Sequence, residues 1–232
     1  MSLHNRAEDV ERVDDTILIL ANGSWDGIDR LRVVAPRATY TIATDGAWGK
    51  ASDAGIAVDA TVGDFDSLAP EARTELEETP TRVLPHPPDK DWTDLELAID
   101  LALSRSPHHV ILFGAFGGRI DQTLANVFLL ERLLDRGVAV EAIAGDETVW
   151  LIEGTFALPI GAPGDRVSLL PISDDVDVTT DGLAYPLRNE PLIRAASRGI
   201  SNVIERVPAT IDVQRGRLLV VYGPAETAAG RA

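Results

Sequence analysis

Short apolar runs recur along the first two-thirds of the chain, and most of them stop on glycine, asparagine or aspartate. Thr16–Ala21 stops at Asn22-Gly23, and Thr39–Thr44 stops at Asp45-Gly46. Ala60–Val62 leads into Gly63-Asp64, and His109–Phe113 leads into Gly114. Val138–Ile143 follows a helical stretch and its Gly137 stop. The spacing predicts helices near 26–34, 70–78, 93–105 and 120–135, between these runs. Apolar runs this short, alternating with helices, predict buried strands of a largely parallel sheet covered on both faces.

The pattern changes after Ala144. Short β-rich segments punctuated by Gly, Pro and Asp follow at 148–152, 166–170, 176–179, 183–187, 199–206, 210–213 and 218–221, with no long helix. They predict a small antiparallel β-sandwich. The expected organisation is therefore α/β, with an α/β domain over 1–144 and a β-sandwich domain over 145–232. Both tails, 1–14 and 224–232, are expected to fray.

Charge narrows the partners. The formal net charge is −16, which argues against nucleic acid, since phosphate backbones need a basic surface. Lys50 and Lys90 are the only lysines among 21 basic residues. A lysine-poor acidic surface suits a high-salt cytoplasm, and a merely acidic protein is the alternative. No apolar run reaches membrane-spanning length, and Met1–Asp15 lacks a signal-peptide core, so a cytoplasmic protein without membrane contact is expected. The absence of cysteine excludes thiolate metal sites and cysteine nucleophiles.

Ligands of open α/β sheets bind outside the carboxyl ends of the strands. Asp45, the Asp64/Asp66 pair and the Gly114-Ala115-Phe116-Gly117-Gly118-Arg119 loop all follow strands there. Two carboxylates two residues apart repel unless a cation lies between them, and Mg²⁺ takes one or two carboxylates plus phosphate oxygens. A polar turn of Gly, Asp and Ser explains the same residues without a metal. Thr93 and Glu96 form a T-x-x-E capping box that starts a helix and sets Asp94 at the crevice edge. Asp94 also suits a helix N-terminus electrostatically. Lys90 reads either as a phosphate contact or as an ordinary surface lysine. The glycine loop lets backbone N–H groups approach an anion, with Arg119 beside it, but it is neither a Walker A loop nor a G-x-G-x-x-G fingerprint. Asp121 is a first-turn acid or a metal ligand. His4, His86, His108 and His109 form no metal-binding spacing.

In order, Asp45-Gly46-Ala47, Gly63-Asp64-Phe65-Asp66-Ser67, Asp91-Trp92-Thr93-Asp94, Gly114 to Asp121, and Asn126 resemble the thiamine pyrophosphokinase family. In the second domain, Asp181 to Leu187 and Ser201-Asn202 resemble its thiamine-side motifs. Four positions depart from the family's common residues: Ala47, Lys90, Gln122 and Tyr185. The resemblance implies diphosphate transfer from ATP to thiamine, by an archaeal and halophilic member. It implies Mg²⁺ on Asp64, Asp66 and Asp94, supported by Asp45 and Asp121. It implies phosphate contacts from Asn22, Gly23, Lys90, Gly114, Gly117, Gly118, Arg119 and Asn126. Thiamine would meet Tyr185, Ser201 and Asn202 in a homodimer whose active sites form between subunits. Archaeal pterin diphosphokinases share a related aspartate pattern, and a nucleotide- or thiamine-binding sensor is the non-catalytic alternative.

Overall fold

Strand β1 (Thr16–Leu20) is buried along its whole length, as a strand with helices on both faces must be. The computed structural model describes residues 15–225 apart from Ser67 and Ala69. The tails expected to fray lie almost wholly outside those residues, as does the serine that ends the Gly63–Ser67 motif.

Strands β2 (Tyr40–Thr44), β3 (Ala60–Gly63), β4 (Arg82–Pro85), β5 (His109–Phe113) and β6 (Ala139–Ala144) join β1 in a parallel array. Their spatial order is β4-β3-β2-β1-β5-β6. The chain steps outward from β1 to β4, then returns to the other side of β1. The switch in direction lies between β1 and β5, where an open sheet splays its loops into a crevice.

Helices α1 (Ile28–Val34), α2 (Asp45–Asp53) and α3 (Pro70–Glu77) cover one face. Leu31, Ala47, Trp48, Ala51 and Leu76 pack there against Leu18, Leu20 and Phe113. Helices α4 (Asp94–Ser104) and α5 (Ile120–Leu134) cover the other, where Ile99, Ala102, Leu130 and Leu133 meet Ile17, Ile19 and Leu112. Alternate residues of one strand thus feed opposite cores.

The sheet does not end at β6. A two-residue turn, Gly145-Asp146, leads into β7 (Glu147–Ala157), which pairs antiparallel with β6. Beyond it lie β12 (Thr210–Gly223), β9 (Val176–Asp181) and β10 (Glu190–Leu192) in one continuous mixed sheet. Strand β8 (Arg166–Pro171) branches from β12 and pairs in turn with β11 (Asn202–Val203). The expected largely parallel sheet is therefore corrected: the sheet is mixed and runs on from the α/β half into the β-rich half. The reason is visible in β7. Val149 and Leu151 enter the α4/α5 core, while Trp150 and Ile152 enter the sandwich core. Leu219 and its neighbours Leu218 and Val220 divide in the same way on β12.

Side chains reinforce the join. Arg30 of α1 donates to the carbonyls of Gly145 and Glu147 at 2.9 and 2.8 Å. Arg217 of β12 reaches Glu131 of α5 at 2.8 Å and also pairs with Asp135. Among the described residues no helix is long and apolar enough to cross a membrane.

A shared wall predicts shared unfolding. Leu151→Ala should cost ~2–5 kcal/mol, the range for a buried leucine. Urea melts followed by far-UV dichroism and by tryptophan fluorescence should shift together as one transition. Two separated transitions would mean that the halves unfold independently.

Candidate active site

Asp45 caps the carboxyl end of β2 and opens α2, so the strand itself delivers its carboxylate to the crevice. The carboxylate is buried and accepts the N–H of Phe65 at 2.9 Å and that of Gly46 at 2.5 Å. The turn after β3 is shaped around it. A Cβ on Gly63, whose φ is 154°, would lie 2.5 Å from the carboxyl carbon of Asp45. Phe65 adopts φ 59°, a left-handed backbone that non-glycine residues take up at a cost of about 1 kcal/mol. Its ring is buried, which holds the turn in place. Asp64 accepts the N–H of Asp66 at 3.2 Å across the same turn.

The result is a cluster. One carboxylate oxygen each from Asp45, Asp64 and Asp66 lie within 4.8 Å of one another. Burial raises the pKa of Asp45, and the charges of Asp94 and Asp64 add to the rise. Hydrogen bonds from Asp66 hold the Asp64 carboxyl below its usual range, aided by Lys90. Three converging hard oxygens, one on a carboxylate that is costly to ionise alone, fit a divalent cation of the Mg²⁺ type.

Asp94 stands apart from that trio. Thr93 caps α4 by accepting the N–H of Glu96 at 3.2 Å, as the capping box predicts. Asp94 pairs with Lys90 at 2.8 Å, and Lys90 approaches Asp64 at 3.7 Å. The Lys90 side chain is only 8% exposed. Burial works against its charge, but the hydrogen bond and charge of Asp94, with Asp64 and Asp45, raise its pKa overall. It is not an ordinary surface lysine.

The opposite wall comes from the switch point. Gly23 donates to the Gly114 carbonyl at 2.7 Å, and Ser24 donates to that of Phe116 at 3.1 Å. Gly114 takes φ 71°, and a Cβ there would lie 2.3 Å from the Ala21 carbonyl oxygen. The loops after β1 and β5 can interlock this closely only without side chains. Asn126, in the second turn of α5, donates to the Ala115 carbonyl at 2.6 Å.

Between the walls lies a cleft of about 390 Å³. It gathers Asn22, Gly23, Asp45, Asp64, Asp66, Lys90, Asp94, Gly114, Gly117 and Asn126 from the residues marked out in sequence. Gly118, Arg119 and Asp121 do not line it. Arg119 and Asp121 are exposed and pair with each other, which raises one pKa and lowers the other. Tyr185, Ser201 and Asn202 also lie off the cleft. Asn202 accepts the Tyr185 N–H at 3.0 Å and returns a bond to its carbonyl at 2.7 Å, so its amide is spent on the sandwich. Ser201 has φ 57° and donates its N–H to Ser168 at 3.0 Å.

Sequence patterns missed Thr44, Trp92 and Gln122 as cleft residues. The Thr44 hydroxyl is buried without a hydrogen-bond partner among the described residues. Its only sequence signal is its place just before Asp45 at a strand end.

The Asp45 shift sets a pH dependence. A carboxyl whose folded pKa is raised above 3.8 keeps a proton that the unfolded chain has lost. Its stability contribution therefore declines as pH rises through that window, until a cation offsets the charge. Saturating Mg²⁺ should raise Tm by about 5–10 °C near neutral pH. The increment should shrink on acidification toward the carboxylate range and should nearly vanish in Asp45→Asn. Thermal melts with Mg²⁺ or with chelator check this, and an increment independent of pH would contradict it.

Known proteins share the sequence and the fold. Residues 31–142 match the model of the thiamin pyrophosphokinase catalytic domain, and residues 158–218 match that of the thiamin pyrophosphokinase vitamin B1 binding domain. A thiamine pyrophosphokinase of Bacillus subtilis is 29% identical over 89% of this chain and 97% of its own length. A crystal structure of thiamine pyrophosphokinase from that organism superposes with a TM-score of 0.80 at 26% identity, covering 90% of this chain and 99% of that one. The Geobacillus thermodenitrificans thiamin pyrophosphokinase structure gives 0.78 at 28% identity over 92% and 99%. With both halves matched by models of one family and the whole architecture shared with its solved members, the chain belongs to the thiamin pyrophosphokinase family.

Proposed function

We propose that this protein transfers the diphosphate of ATP to the hydroxyl of thiamine, releasing AMP, with Mg²⁺ held by Asp45, Asp64 and Asp66. The observation that carries the metal assignment is the convergence of those three carboxylate oxygens within 4.8 Å. The match of residues 158–218 to a vitamin B1 binding domain favours thiamine over a pterin acceptor.

The acceptor oxygen forms a bond to the β-phosphorus as the bond from that phosphorus to the bridging oxygen of AMP breaks. A bound Mg²⁺ supplies charge neutralisation on the phosphate oxygens. Lys90, fixed between Asp94 and Asp64, carries positive charge to the same place without needing to move. The backbone at Gly114 and Gly117 and the amides of Asn22 and Asn126 line the wall where the phosphate chain would lie. Asp94 lies outside the three-oxygen cluster and is thus the carboxylate at hand for the hydroxyl proton. Arg119 pairs with Asp121 in the protein alone and would have to exchange that partner for phosphate.

We also infer a homodimer in which the sandwich of one subunit completes the cleft of the other. Tyr185 is 63% exposed and lies off its own cleft, as do Ser201 and Asn202. Helix α5, whose Gln122 and Asn126 line the cleft, exposes Ile120, Leu124 and Phe128 at 77%, 55% and 50%. Residues four apart form one stripe on a helix, and an exposed apolar stripe beside an incomplete site suits a partner.

Two measurements test the proposal. Asp66→Asn should lower AMP release from ATP and thiamine by ~10³-fold or more while leaving the fold intact, the scale expected when charge stabilisation of phosphoryl transfer is lost. Near-normal turnover would remove the metal assignment. Phe128→Glu should shift the particle from dimer to monomer by light scattering and cut activity by about tenfold or more, since truncating a central apolar anchor costs ~1–4 kcal/mol. A dimer that survives unchanged would place the interface elsewhere.

A further inference from the structure

Trp92 is the one aromatic side chain that lines the cleft among the described residues. It is also 53% exposed, in a chain whose other tryptophans are engaged. Trp48 and Trp150 are buried in cores, and Trp25 packs edge-on against Phe113 at 5.3 Å with its N–H on the Ala21 carbonyl. Trp92 has no aromatic neighbour, and its indole N–H has no hydrogen-bond acceptor among the described residues. A large apolar ring left half in water contributes little to folding, yet here it stands on the rim of an otherwise polar crevice.

The backbone beneath Trp92 is fixed from both sides. Thr93 is the N-cap of α4, and Lys90, two residues before Trp92, is pinned by Asp94 and Asp64. The ring is therefore carried next to the charges that would meet phosphate. Pro88 lines the same cleft and adds a second apolar surface. A flat apolar plate beside a phosphate site matches a ligand with a planar ring attached to phosphate or awaiting it. Aromatic stacking accepts any such ring, because every heterocycle has a π-face.

We propose that Trp92 is the stacking plate for the planar nitrogen heterocycle of a substrate, either the purine of ATP or the pyrimidine of thiamine. This rests on the diphosphate-transfer reading for its two ring-bearing ligands. Both rings offer the same chemistry to an indole face, so separate arms of one experiment distinguish them.

The experiment compares wild-type protein, Trp92→Ala and Trp92→Phe. KM for ATP and KM for thiamine are measured separately, and inorganic tripolyphosphate with Mg²⁺ is titrated calorimetrically as a ringless probe. Trp92→Ala should raise KM for one ring substrate about tenfold or more with kcat changed less than about threefold, the scale of a lost base–aromatic stack. Trp92→Phe should recover most of that loss, and tripolyphosphate should bind all three proteins alike. The substrate whose KM moves identifies the ring. Unchanged KM values for both substrates in Trp92→Ala overturn the proposal. So does an equal loss of tripolyphosphate affinity, which would make Trp92 a prop for the loop. If the wild type forms no AMP with thiamine, the reaction assignment fails separately. Stacking is then judged by fluorescence: AMP or thiamine should quench the wild type and not Trp92→Phe, and equal quenching in both overturns it.

Discussion

The hydrogen bond from the Phe65 N–H to the Asp45 carboxylate ties the end of β2 to the end of β3. Nearly everything specific about the cleft depends on it. The carboxylate occupies the space that a side chain on Gly63 would need, and the left-handed turn at Phe65 wraps around it. That wrap brings Asp64 and Asp66 round to Asp45. A buried anion and a left-handed phenylalanine each cost folding free energy. Both costs fall at one turn, where strain tends to be kept for function. Burial of the Phe65 ring in the α1–α3 core is the compensation visible nearby.

Charge balance follows from the same turn. Asp45, Asp64, Asp66 and Asp94 all line the cleft, with Lys90 as the cation among them. Lys90 pairs with Asp94 at 2.8 Å and approaches Asp64 at 3.7 Å. The proposed Mg²⁺ would meet the convergence of Asp45, Asp64 and Asp66. ATP brings further negative charge, so Lys90 and the proposed Mg²⁺ beside its phosphates make electrostatic sense.

Much of this was legible in the sequence, and the parts that were not share a cause. Strand β5 runs over His109–Phe113 as its apolar run predicts, and α4 starts behind Thr93 as the capping box predicts. Helix α2 was not expected, because Asp45–Asp53 contains Gly46 and Gly49 and has weak intrinsic helicity. It forms because Ala47, Trp48 and Ala51 find a core to fill. Edge strand β4 is mostly exposed and ends on Pro85, so it carries neither apolar periodicity nor a clean strand composition. The segments at 210–213 and 218–221 read as two strands, but they are one strand, β12, interrupted by a register shift. Convergence of Asp45, Asp64 and Asp66 could be anticipated from strand ends, whereas the outward turn of Arg119 toward Asp121 could not. Local pattern encodes the elements; the direction of a loop side chain depends on contacts that no local pattern contains.

The continuity of the sheet bears on how the two halves cooperate. Strand β7 sends Val149 and Leu151 to one core and Trp150 and Ile152 to the other, so the sandwich is anchored by the same backbone that borders the α/β half. Arg30 of α1 braces that border through the Gly145 carbonyl, and Arg217 of β12 braces it through Glu131 of α5. A sandwich held this firmly is poorly placed to swing its Tyr185 and Ser201 face onto its own cleft, because hinged closure needs a few residues free to absorb large backbone rotations. Completing the cleft from a second subunit removes the need for that motion. The rigid join is therefore itself an argument for the proposed assembly: the more tightly one chain fixes its two halves, the more the proposed thiamine-side residues would depend on a neighbour to meet phosphate.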